Sequence, residues 1–376
     1  MFIENIRLKN FRNHADSYLE CGDKANIILG DNGEGKTNLL EAVSYISLTK
    51  SFYASNDSVI VNIGETIFQI EANMVSDNGI KTKIHIGYDL TTGEKVYSIN
   101  NRRIEKFSSV IGKFPIVFLS PENSNITFGG PAERRKFLDL VLSQSNQTYF
   151  EDLSEYRKVV RHRNKILNDA KFHKNDPIAL LEPWNEQLIR FGSRIMVRRR
   201  NFVNEFQEYI FSAYKKLVDL REVPSMEYEP SFKTGNSEKD EMVFENFKTE
   251  IDRKYKEELR LGSTLVGPHR DEISFKINGL ELRKFASQGQ HKTFFVALKI
   301  GEFFYLKERC RENPILLLDD VFSELDDNRA QQMLLLIENL NQTFITSTNF
   351  DIFDKVLSFG EKNKKVIVRN GKIAIS

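Results

Sequence analysis

The chain has 376 residues, of which 40% are hydrophobic and 28% are charged, a composition that excludes a disordered charged tail and a collagen-like protein. The 54 Lys and Arg residues nearly balance the 53 Asp and Glu residues, so the formal net charge is +1. Binding to a polyanion must therefore depend on a local basic surface rather than on the charge of the whole chain.

The sequence pattern does not point to a membrane or to an oxidising compartment. No apolar run approaches the ~20 residues that a membrane-spanning helix needs, and Glu4, Arg7 and Lys9 interrupt any signal-peptide pattern. Cys21 and Cys310 are far apart and have no metal-ligand neighbours, so neither a disulfide framework nor a zinc site is expected. We therefore expect a cytoplasmic protein with no membrane partner.

The first part of the chain has α/β character. Ala25–Leu29 is an apolar run of strand length, and apolar residues at helical spacing predict a helix over Thr37–Leu48. Pro115–Leu119 predicts another buried strand. Between them, three alternating segments separated by turn residues predict antiparallel strands: Phe68–Val75, Lys81–Tyr88 and Lys95–Ile99.

The middle of the chain is predicted to be helical. Pro131 is suited to the first turn of a helix, and long apolar-periodic stretches rich in Lys and Arg follow it. The predicted helices are Pro131–Ser143, Asn146–Lys171, Pro183–Val218 and Val243–Arg260.

The last part of the chain returns to alternating α/β character. A helix is predicted over Gly289–Arg309, and the buried strand Ile315–Leu318 follows it. The first and last parts are therefore predicted to form one α/β domain of residues 1–118 and 262–376. Residues 119–261 are predicted to form a helical insertion domain.

A glycine-rich stretch between the first buried strand and its helix matches G-x-x-x-x-G-K-[ST], the phosphate-binding loop. Its residues are Gly30, Asp31, Asn32, Gly33, Glu34, Gly35, Lys36 and Thr37. Backbone N–H groups of such a loop, and the N-terminus of the following helix, face the phosphates. Lys36 supplies a positive charge to the β- and γ-phosphates, and the Thr37 hydroxyl is a candidate Mg²⁺ ligand.

Two acidic residues end the apolar strand at Ile315–Leu318. A buried strand that ends in acids commonly holds Mg²⁺ beside a phosphate loop, which makes Asp319 a candidate metal ligand. Side chains alternate along a strand, so Asp320 is predicted to point to the other face, where it is a candidate for orienting the attacking water.

A third motif lies upstream of these acids, just before a predicted helix, and consists of Ser287, Gln288, Gly289 and Gln290. In this order it resembles the signature motif of ABC-type ATPases, and Ser287 is placed to cap the helix. In that superfamily the helix faces a nucleotide bound by the other subunit. The segment after Asp320, with Ser323 and Asp326, resembles the loop through which two such heads contact each other.

Taken along the whole chain, the motifs resemble the RecF family of SMC-like DNA-repair ATPases. The matching segments are Phe2–Asn13, Ser120–Glu122, Gly129–Asp139, Leu265–Asp271 and Leu317–Asp326. SMC proteins place a heptad-repeat arm where this chain has no sustained heptad. The resemblance implies an α/β fold: an ABC-type P-loop ATPase head with an antiparallel β subdomain and an inserted helical second domain.

The same resemblance implies the function. Members of the family are weak DNA-dependent ATPases that need ATP and Mg²⁺ and form a homodimer when ATP is bound. They act with RecO and RecR to load RecA at gaps, bind junctions of double- and single-stranded DNA, and serve replication-fork recovery and the SOS response. These properties imply a cytoplasmic, nucleoid-associated protein.

The sequence departs from the general ABC pattern in two places. Many ABC ATPases carry Glu where this chain has Asp320, so its hold on water is expected to be looser and hydrolysis slow. Many also carry a His beyond the following strand, where Thr348 and Asn349 are the only candidates for the same contact. Glu122 is a further candidate metal ligand, at the place where ABC heads use a Gln.

Basic rows on the predicted helices are candidate DNA contacts, because rows of Lys and Arg neutralise phosphates without reading sequence. Each row repeats at i, i+4 and i+8, and the alternative is an ordinary solvated helix face. The two rows are Arg157, Arg161 and Lys165, and Arg190, Arg194 and Arg198. His269 and Arg270, before a predicted strand, either touch nucleotide or DNA or complete a structural turn.

Two other functions fit parts of the pattern. A transporter's ATP-binding subunit would share the phosphate loop and signature motif, but the basic helical zone argues against it. A nucleotide-regulated scaffold with little turnover would bind the same repair partners, but intact Lys36, Thr37, Asp319 and Asp320 argue against a decayed site.

Overall fold

The computed structural model describes residues 1–173, 177–218, 221–233, 240–324, 327–338 and 340–375. The strands are β1 (Phe2–Phe11), β2 (His14–Glu20), β3 (Ala25–Leu29), β4 (Ile67–Val75), β5 (Lys81–Asp89), β6 (Glu94–Ile99), β7 (Arg102–Arg103), β8 (Ile116–Leu119), β9 (Pro224–Glu229), β10 (Glu272–Ile277), β11 (Leu280–Glu281), β12 (Ile315–Asp319), β13 (Thr343–Ser347), β14 (Lys364–Arg369) and β15 (Lys372–Ile375). The α-helices are α1 (Lys36–Leu48), α2 (Asn125–Phe128), α3 (Pro131–Ser145), α4 (Gln147–His173), α5 (Ile178–Lys215), α6 (Asp240–Leu261), α7 (Leu282–Phe285), α8 (Gln288–Cys310), α9 (Asp327–Glu338) and α10 (Asp351–Asp354).

The chain divides into two compact units. Unit 1 contains Met1–Ser124 and Ala297–Ser376, and unit 2 contains Asn125–Val296. The bounds differ from the predicted division at residue 262, because β10 pairs with β9 in an antiparallel ladder. That pairing joins the segment after residue 262 to the insertion, and α8 contributes residues to both units.

A mainly parallel sheet carries the chemistry of unit 1. Its strand order is β15-β14-β3-β13-β12-β8, and only the β14–β15 hairpin is antiparallel. Strands β3 and β12 are almost entirely apolar and buried, as expected for parallel strands covered on both faces. Because β13 lies between β3 and β12 and runs parallel to both, the loop after β3 and the two acids at the end of β12 reach the same edge of the sheet, on either side of β13.

The second sheet of unit 1 is antiparallel, in the order β2-β1-β4-β5-β6-β7. The predicted strands over residues 68–99 lie in this sheet, where β4 alternates buried and accessible side chains. Phe11, Tyr45 and Phe68 meet edge to face, with ring centroids 5.4–5.7 Å apart. This cluster packs α1, the helix that follows the phosphate loop, against the antiparallel sheet and so fixes its position.

Unit 2 is largely helical, with the small sheet β11-β10-β9. The sequence predicts that the long helix α5 begins at Pro183. In the structure it begins at Ile178, and Pro183 lies inside it. Its buried apolar residues include Leu188, Ile195 and Phe206. Arg163 of α4 and Glu258 of α6 form an ion pair at 2.6 Å with both side chains fully buried, which ties these two helices together.

No helix in the part of the chain that the structure describes is long and apolar enough to cross a membrane.

Candidate nucleotide-binding site

The glycine-rich loop joins β3 to α1, and the backbone conformation and close contacts favour glycine at two of its positions. Gly35 has a φ of 110°, in the left-handed region that favours glycine, and a Cβ there would lie 2.5 Å from the Asn13 side-chain oxygen. A Cβ on Gly30 would lie 2.4 Å from the carbonyl oxygen of Val368. The loop therefore favours glycine at both positions: at Gly35 because of the left-handed φ and the adjacent Asn13 side chain, and at Gly30 because the backbone of β14 lies so close.

Residues outside the motif hold the loop in place. The Asn13 side-chain amide donates to the carbonyl of Glu34 at 2.9 Å, and His14 Nε2 lies 3.1 Å from the carbonyl of Gly35. The N–H of Gly371, in the C-terminal hairpin, also donates to the Glu34 carbonyl at 2.9 Å. Burial lowers the pKa of His14, which favours a neutral ring. The sequence motif gives no indication of these contacts, because they come from the two ends of the chain.

Lys36 begins α1 and is nearly buried, with 7% of the residue exposed. Its ammonium group donates to the carbonyls of Gly30 at 2.7 Å and Asp31 at 3.0 Å. The lysine thus lies across the loop that its own motif forms. An anion bound at the N-terminus of α1 would meet this charge together with the free N–H groups of the first turn.

Asp319 is the last residue of β12 and is held by three hydroxyl groups. Thr37 Oγ1 donates to Oδ1 at 2.9 Å, Thr346 Oγ1 donates to the same oxygen at 2.7 Å, and Tyr53 Oη donates to Oδ2 at 2.8 Å. The predicted pair of Thr37 and Asp319 is thus brought into direct contact. Thr346 and Tyr53 are additional residues that the sequence motifs do not mark.

Asp320 does not continue the strand. The strand ends at Asp319, and Asp320 has a φ of 50°, in the left-handed region that a non-glycine residue seldom adopts. Its N–H donates to Thr346 Oγ1 at 2.9 Å. The predicted alternation of the two carboxylates onto opposite faces is therefore wrong, because the backbone turns at this residue and both line the same cavity.

A cavity of about 370 Å³ collects these groups within unit 1. It is lined by Asn32, Gly33, Gly35, Lys36, Thr37, Asn38, Tyr53, Ser120, Pro121, Glu122, Asp319, Asp320 and Thr346. The Ser120 side chain in this lining is buried. The cavity therefore presents one lysine, several hydroxyls and three carboxylates to a single space.

The donor set suits Mg²⁺ bound with a phosphate. Thr37, Asp319 and the exposed Glu122 offer only oxygen atoms, which a hard cation prefers. Within the described residues no group of three or more His, Cys, Asp or Glu side chains is placed to hold a metal. Mg²⁺ is commonly held by one or two protein groups, with water and phosphate oxygens completing its shell, so this arrangement fits it.

The two candidates for the missing His do not line this cavity. Thr348 and Asn349 are exposed, and the Asn349 side-chain oxygen accepts the N–H of Asp351, the first residue of α10, at 2.9 Å. Thr346 is the residue of this segment that reaches the carboxylates.

The predicted signature motif forms a reciprocal helix cap in unit 2. Ser287 Oγ accepts the N–H of Gln290 at 3.2 Å, and Gln290 Oε1 accepts the N–H of Ser287 at 2.8 Å. The Gln290 side-chain N–H donates to Glu222 at 2.8 Å. Gln288 begins α8, followed by Gly289, and the exposed Ser287 stands at the tip of this 23-residue helix.

Of the predicted contact loop after Asp320, the structure describes Ser323, whose hydroxyl donates to the carbonyl of Asp320 at 2.7 Å. Ser323 is exposed. Asp326 lies outside the described residues.

The basic rows of unit 2 are partly paired within the protein. Arg157 contacts Asp139 at 3.0 Å, and Arg194 and Arg198 share the buried carboxylate of Asp152. The Arg190 guanidinium lies 4.5 Å from the ring centroid of Phe191. On α4, Arg161 and Lys165 are exposed and form no ion pair with any described residue. The α4 row therefore offers the freer cations.

His269 and Arg270 are parts of a structural turn. Tyr156 Oη lies 2.6 Å from His269 Nδ1, and His269 Nε2 lies 3.1 Å from the carbonyl of Thr264, which also accepts from Arg270 at 2.9 Å. A carbonyl can only accept, so Nε2 carries the proton and Nδ1 accepts from the tyrosine. Burial lowers the pKa of His269 to about 4, in agreement with a neutral ring.

Known proteins resemble this chain over nearly its whole length. A family model described as the RecF/RecN/SMC N-terminal domain matches residues 2–374. DNA replication and repair protein RecF of Chloroherpeton thalassium is 40% identical over 359 residues, which are 95% of this chain and 97% of that protein.

Solved structures give the same result. The recombination mediator protein RecF-ATPrS of the RecFOR pathway matches with a TM-score of 0.91 and 32% identity, covering 100% of this chain and 98% of that chain. RecF-ATP of the same pathway matches with a TM-score of 0.90 and 32% identity, covering 100% and 97%. The chain therefore belongs to the RecF family of DNA replication and repair proteins, which are ABC-type ATPases of the RecF/RecN/SMC group.

Proposed function

We propose that the cavity of unit 1 binds Mg-ATP and that ATP binding drives the formation of a homodimer. The hydrogen bond of 2.9 Å between Thr37 Oγ1 and Asp319 Oδ1 is the observation that carries the proposal. It joins the phosphate loop to the acidic strand end, although the two residues are far apart in sequence. Membership of the RecF family leaves no support for the transporter alternative.

The cavity residues that the sequence motifs mark have proposed tasks. The N–H groups of the loop from Gly30 to Thr37 and the Lys36 ammonium hold the phosphates. Thr37 and Asp319, with Glu122 at the rim, would hold Mg²⁺, which neutralises charge on the phosphates. Asp320 is the proposed general base that orients the attacking water. Its shorter side chain and left-handed backbone are consistent with slow turnover.

The helix tip at Ser287 completes the proposal. Its hydroxyl accepts the N–H of Gln290, so the hydroxyl hydrogen is left to donate to an anion. In the proposed dimer the motif Ser287–Gln290 of one copy contacts the ATP held by the other copy. The cap formed with Gln290 fixes the direction of the helix end, so the N-terminal dipole of α8 also faces that phosphate.

DNA binding is assigned to the exposed basic rows of unit 2, with the α4 row as its main part. We infer binding to junctions of double- and single-stranded DNA, and action with RecO and RecR in loading RecA, from the family. The RecFOR pathway of the structural relatives supports these partners. A cytoplasmic, nucleoid-associated location follows from this proposal.

Phosphate release with gapped DNA tests the function. Mg²⁺-dependent ATP hydrolysis that rises when gapped DNA is added is the expected result. Lys36→Met should abolish nucleotide binding, because it removes the charge that lies across the loop. Hydrolysis that is absent with and without DNA, while ATP still binds, would favour a nucleotide-regulated scaffold instead.

A further inference from the structure

Tyr53 is the one aromatic residue among those lining the nucleotide cavity, and neither the phosphate-loop motif nor the acidic strand end includes it. Its phenol donates to Asp319 Oδ2 at 2.8 Å, while the two threonine hydroxyls donate to Oδ1. Each oxygen of the buried carboxylate is therefore held from a different side. A carboxylate held on both oxygens has little freedom to rotate.

The loop that carries Tyr53 is itself fixed. Ser51 Oγ accepts the N–H of Tyr53 at 2.9 Å and the N–H of Ala54 at 2.8 Å, and it donates to Glu41. Glu41 is buried and forms an ion pair with Arg12 at 2.8 Å. A chain of polar contacts thus runs from the end of β1 to the backbone of Tyr53.

Aromatic packing fixes the ring as well. Phe52 stacks on Phe118 with ring centroids 4.2 Å apart, and Tyr53 meets the same Phe118 ring edge-on at 5.7 Å. Phe118 belongs to β8, the neighbour of β12 in the parallel sheet. The ring of Tyr53 therefore packs on the same sheet that positions Asp319.

The geometry makes the phenol the donor in this contact. A carboxylate oxygen accepts, so the hydroxyl hydrogen of Tyr53 points to Asp319 Oδ2.

We propose that Tyr53 is a positioning residue for the divalent cation: it holds the Asp319 carboxylate in the orientation that receives Mg²⁺ with the nucleotide. The inference rests on the proposed Mg-ATP site. Partners that orient a metal ligand commonly change metal affinity by about tenfold or more when they are removed. Tyr53 thus acts on the cation through Asp319.

The test is nucleotide binding as a function of free Mg²⁺, read by the fluorescence of mant-AMP-PNP, an analogue that is not hydrolysed. Tyr53→Phe keeps the ring and its packing on Phe118 and removes only the hydroxyl. The half-saturating Mg²⁺ concentration should rise about tenfold in Tyr53→Phe. In EDTA, the affinity of Tyr53→Phe for mant-AMP-PNP should equal that of the wild type.

Tyr45→Phe is the matched control. Tyr45 Oη donates to Asp57 at 2.6 Å, so this variant also removes a phenol–carboxylate hydrogen bond, but Tyr45 does not line the cavity. Its Mg²⁺ dependence should match that of the wild type. Circular dichroism and melting temperature show whether either variant has lost structure.

Two results would overturn the inference. One is an unchanged Mg²⁺ dependence in Tyr53→Phe, and the other is an equal loss of affinity in Mg²⁺ and EDTA, which would mean that the phenol contacts nucleotide. Asp319→Asn separates this failure from that of the proposed function. If Asp319→Asn removes the Mg²⁺ stimulation while Tyr53→Phe does not, the cation site stands without Tyr53. If the wild type shows no Mg²⁺ stimulation, the proposed cation site itself fails.

Discussion

Single residues at the end of β12 determine the chemistry of the site. Asp319 is held by three hydroxyls, whereas Asp320 sits in a left-handed conformation with its N–H bound to Thr346. A strained backbone at a carboxylate beside a phosphate loop is typical of a functional position. The two neighbouring acids are therefore suited to different tasks, one for the cation and one for water.

Asp320→Asn should trap the ATP-bound state, because an amide cannot take the proton of the attacking water. Phosphate release should fall by about 10²-fold or more, while ATP binding is kept. Single-turnover kinetics with radiolabelled ATP measure both. A variant that hydrolyses ATP at the wild-type rate would remove Asp320 from the role of general base.

His269 makes a prediction about pH and stability. Its folded pKa of about 4 lies below the value of ~6.5 for an unperturbed His, so the unfolded chain binds the extra proton first. The neutral ring therefore contributes to the free energy of unfolding above pH ~6.5, and this contribution is lost as the pH falls towards about 4.

The expected loss in the free energy of unfolding is on the order of 3 kcal/mol. Urea unfolding of the whole protein between pH 7 and 4 measures it. The pH dependence should be weaker in His269→Gln than in the wild type. Equal slopes in the two proteins would show that other groups cause the loss.

At the scale of elements, local motifs predict well and long-range pairings do not. The phosphate loop between β3 and α1, and the acidic end of β12, follow from short patterns with known physical reasons. Tyr53 escapes such reasoning, because its contact with Asp319 joins residues that are distant in sequence. The division between the two compact units differs from the predicted boundary at residue 262 for the same reason, since the pairing of β9 with β10 is not readable from a local pattern.

Helix α4 offers the element that is best suited to test DNA binding. Arg161→Glu removes an exposed cation and adds a negative charge, so the affinity for gapped DNA should fall and the salt dependence should flatten by about one counterion. Fluorescence anisotropy at several salt concentrations measures both quantities.

Arg253→Glu is the control, because Arg253 on α6 is exposed but paired with Glu250 within its own helix. It makes the same change of charge outside both basic rows. If the two variants lose affinity equally, the effect comes from net charge and the α4 row is not the contact surface.

For the whole molecule, the comparisons confirm the family, the fold class and the ATPase assignment, and two of the matching solved structures are named RecF-ATPrS and RecF-ATP. The sequence predicts them because the motifs of an ABC-type head occur in a fixed order. The dimer and the DNA junction remain predictions. They depend on contacts with a second molecule, and the sequence and structure of a single chain do not show such contacts directly.

Light scattering of the purified protein measures the dimer most directly. The mass should double when Mg²⁺ and AMP-PNP are added, and Ser287→Arg should bind the nucleotide but stay a monomer, because the larger side chain blocks the helix tip. A wild-type protein that stays a monomer with Mg²⁺, nucleotide and gapped DNA, or a Ser287→Arg protein that still dimerises, would contradict the proposed contact between the Ser287 tip of α8 in one copy and the ATP held by the other.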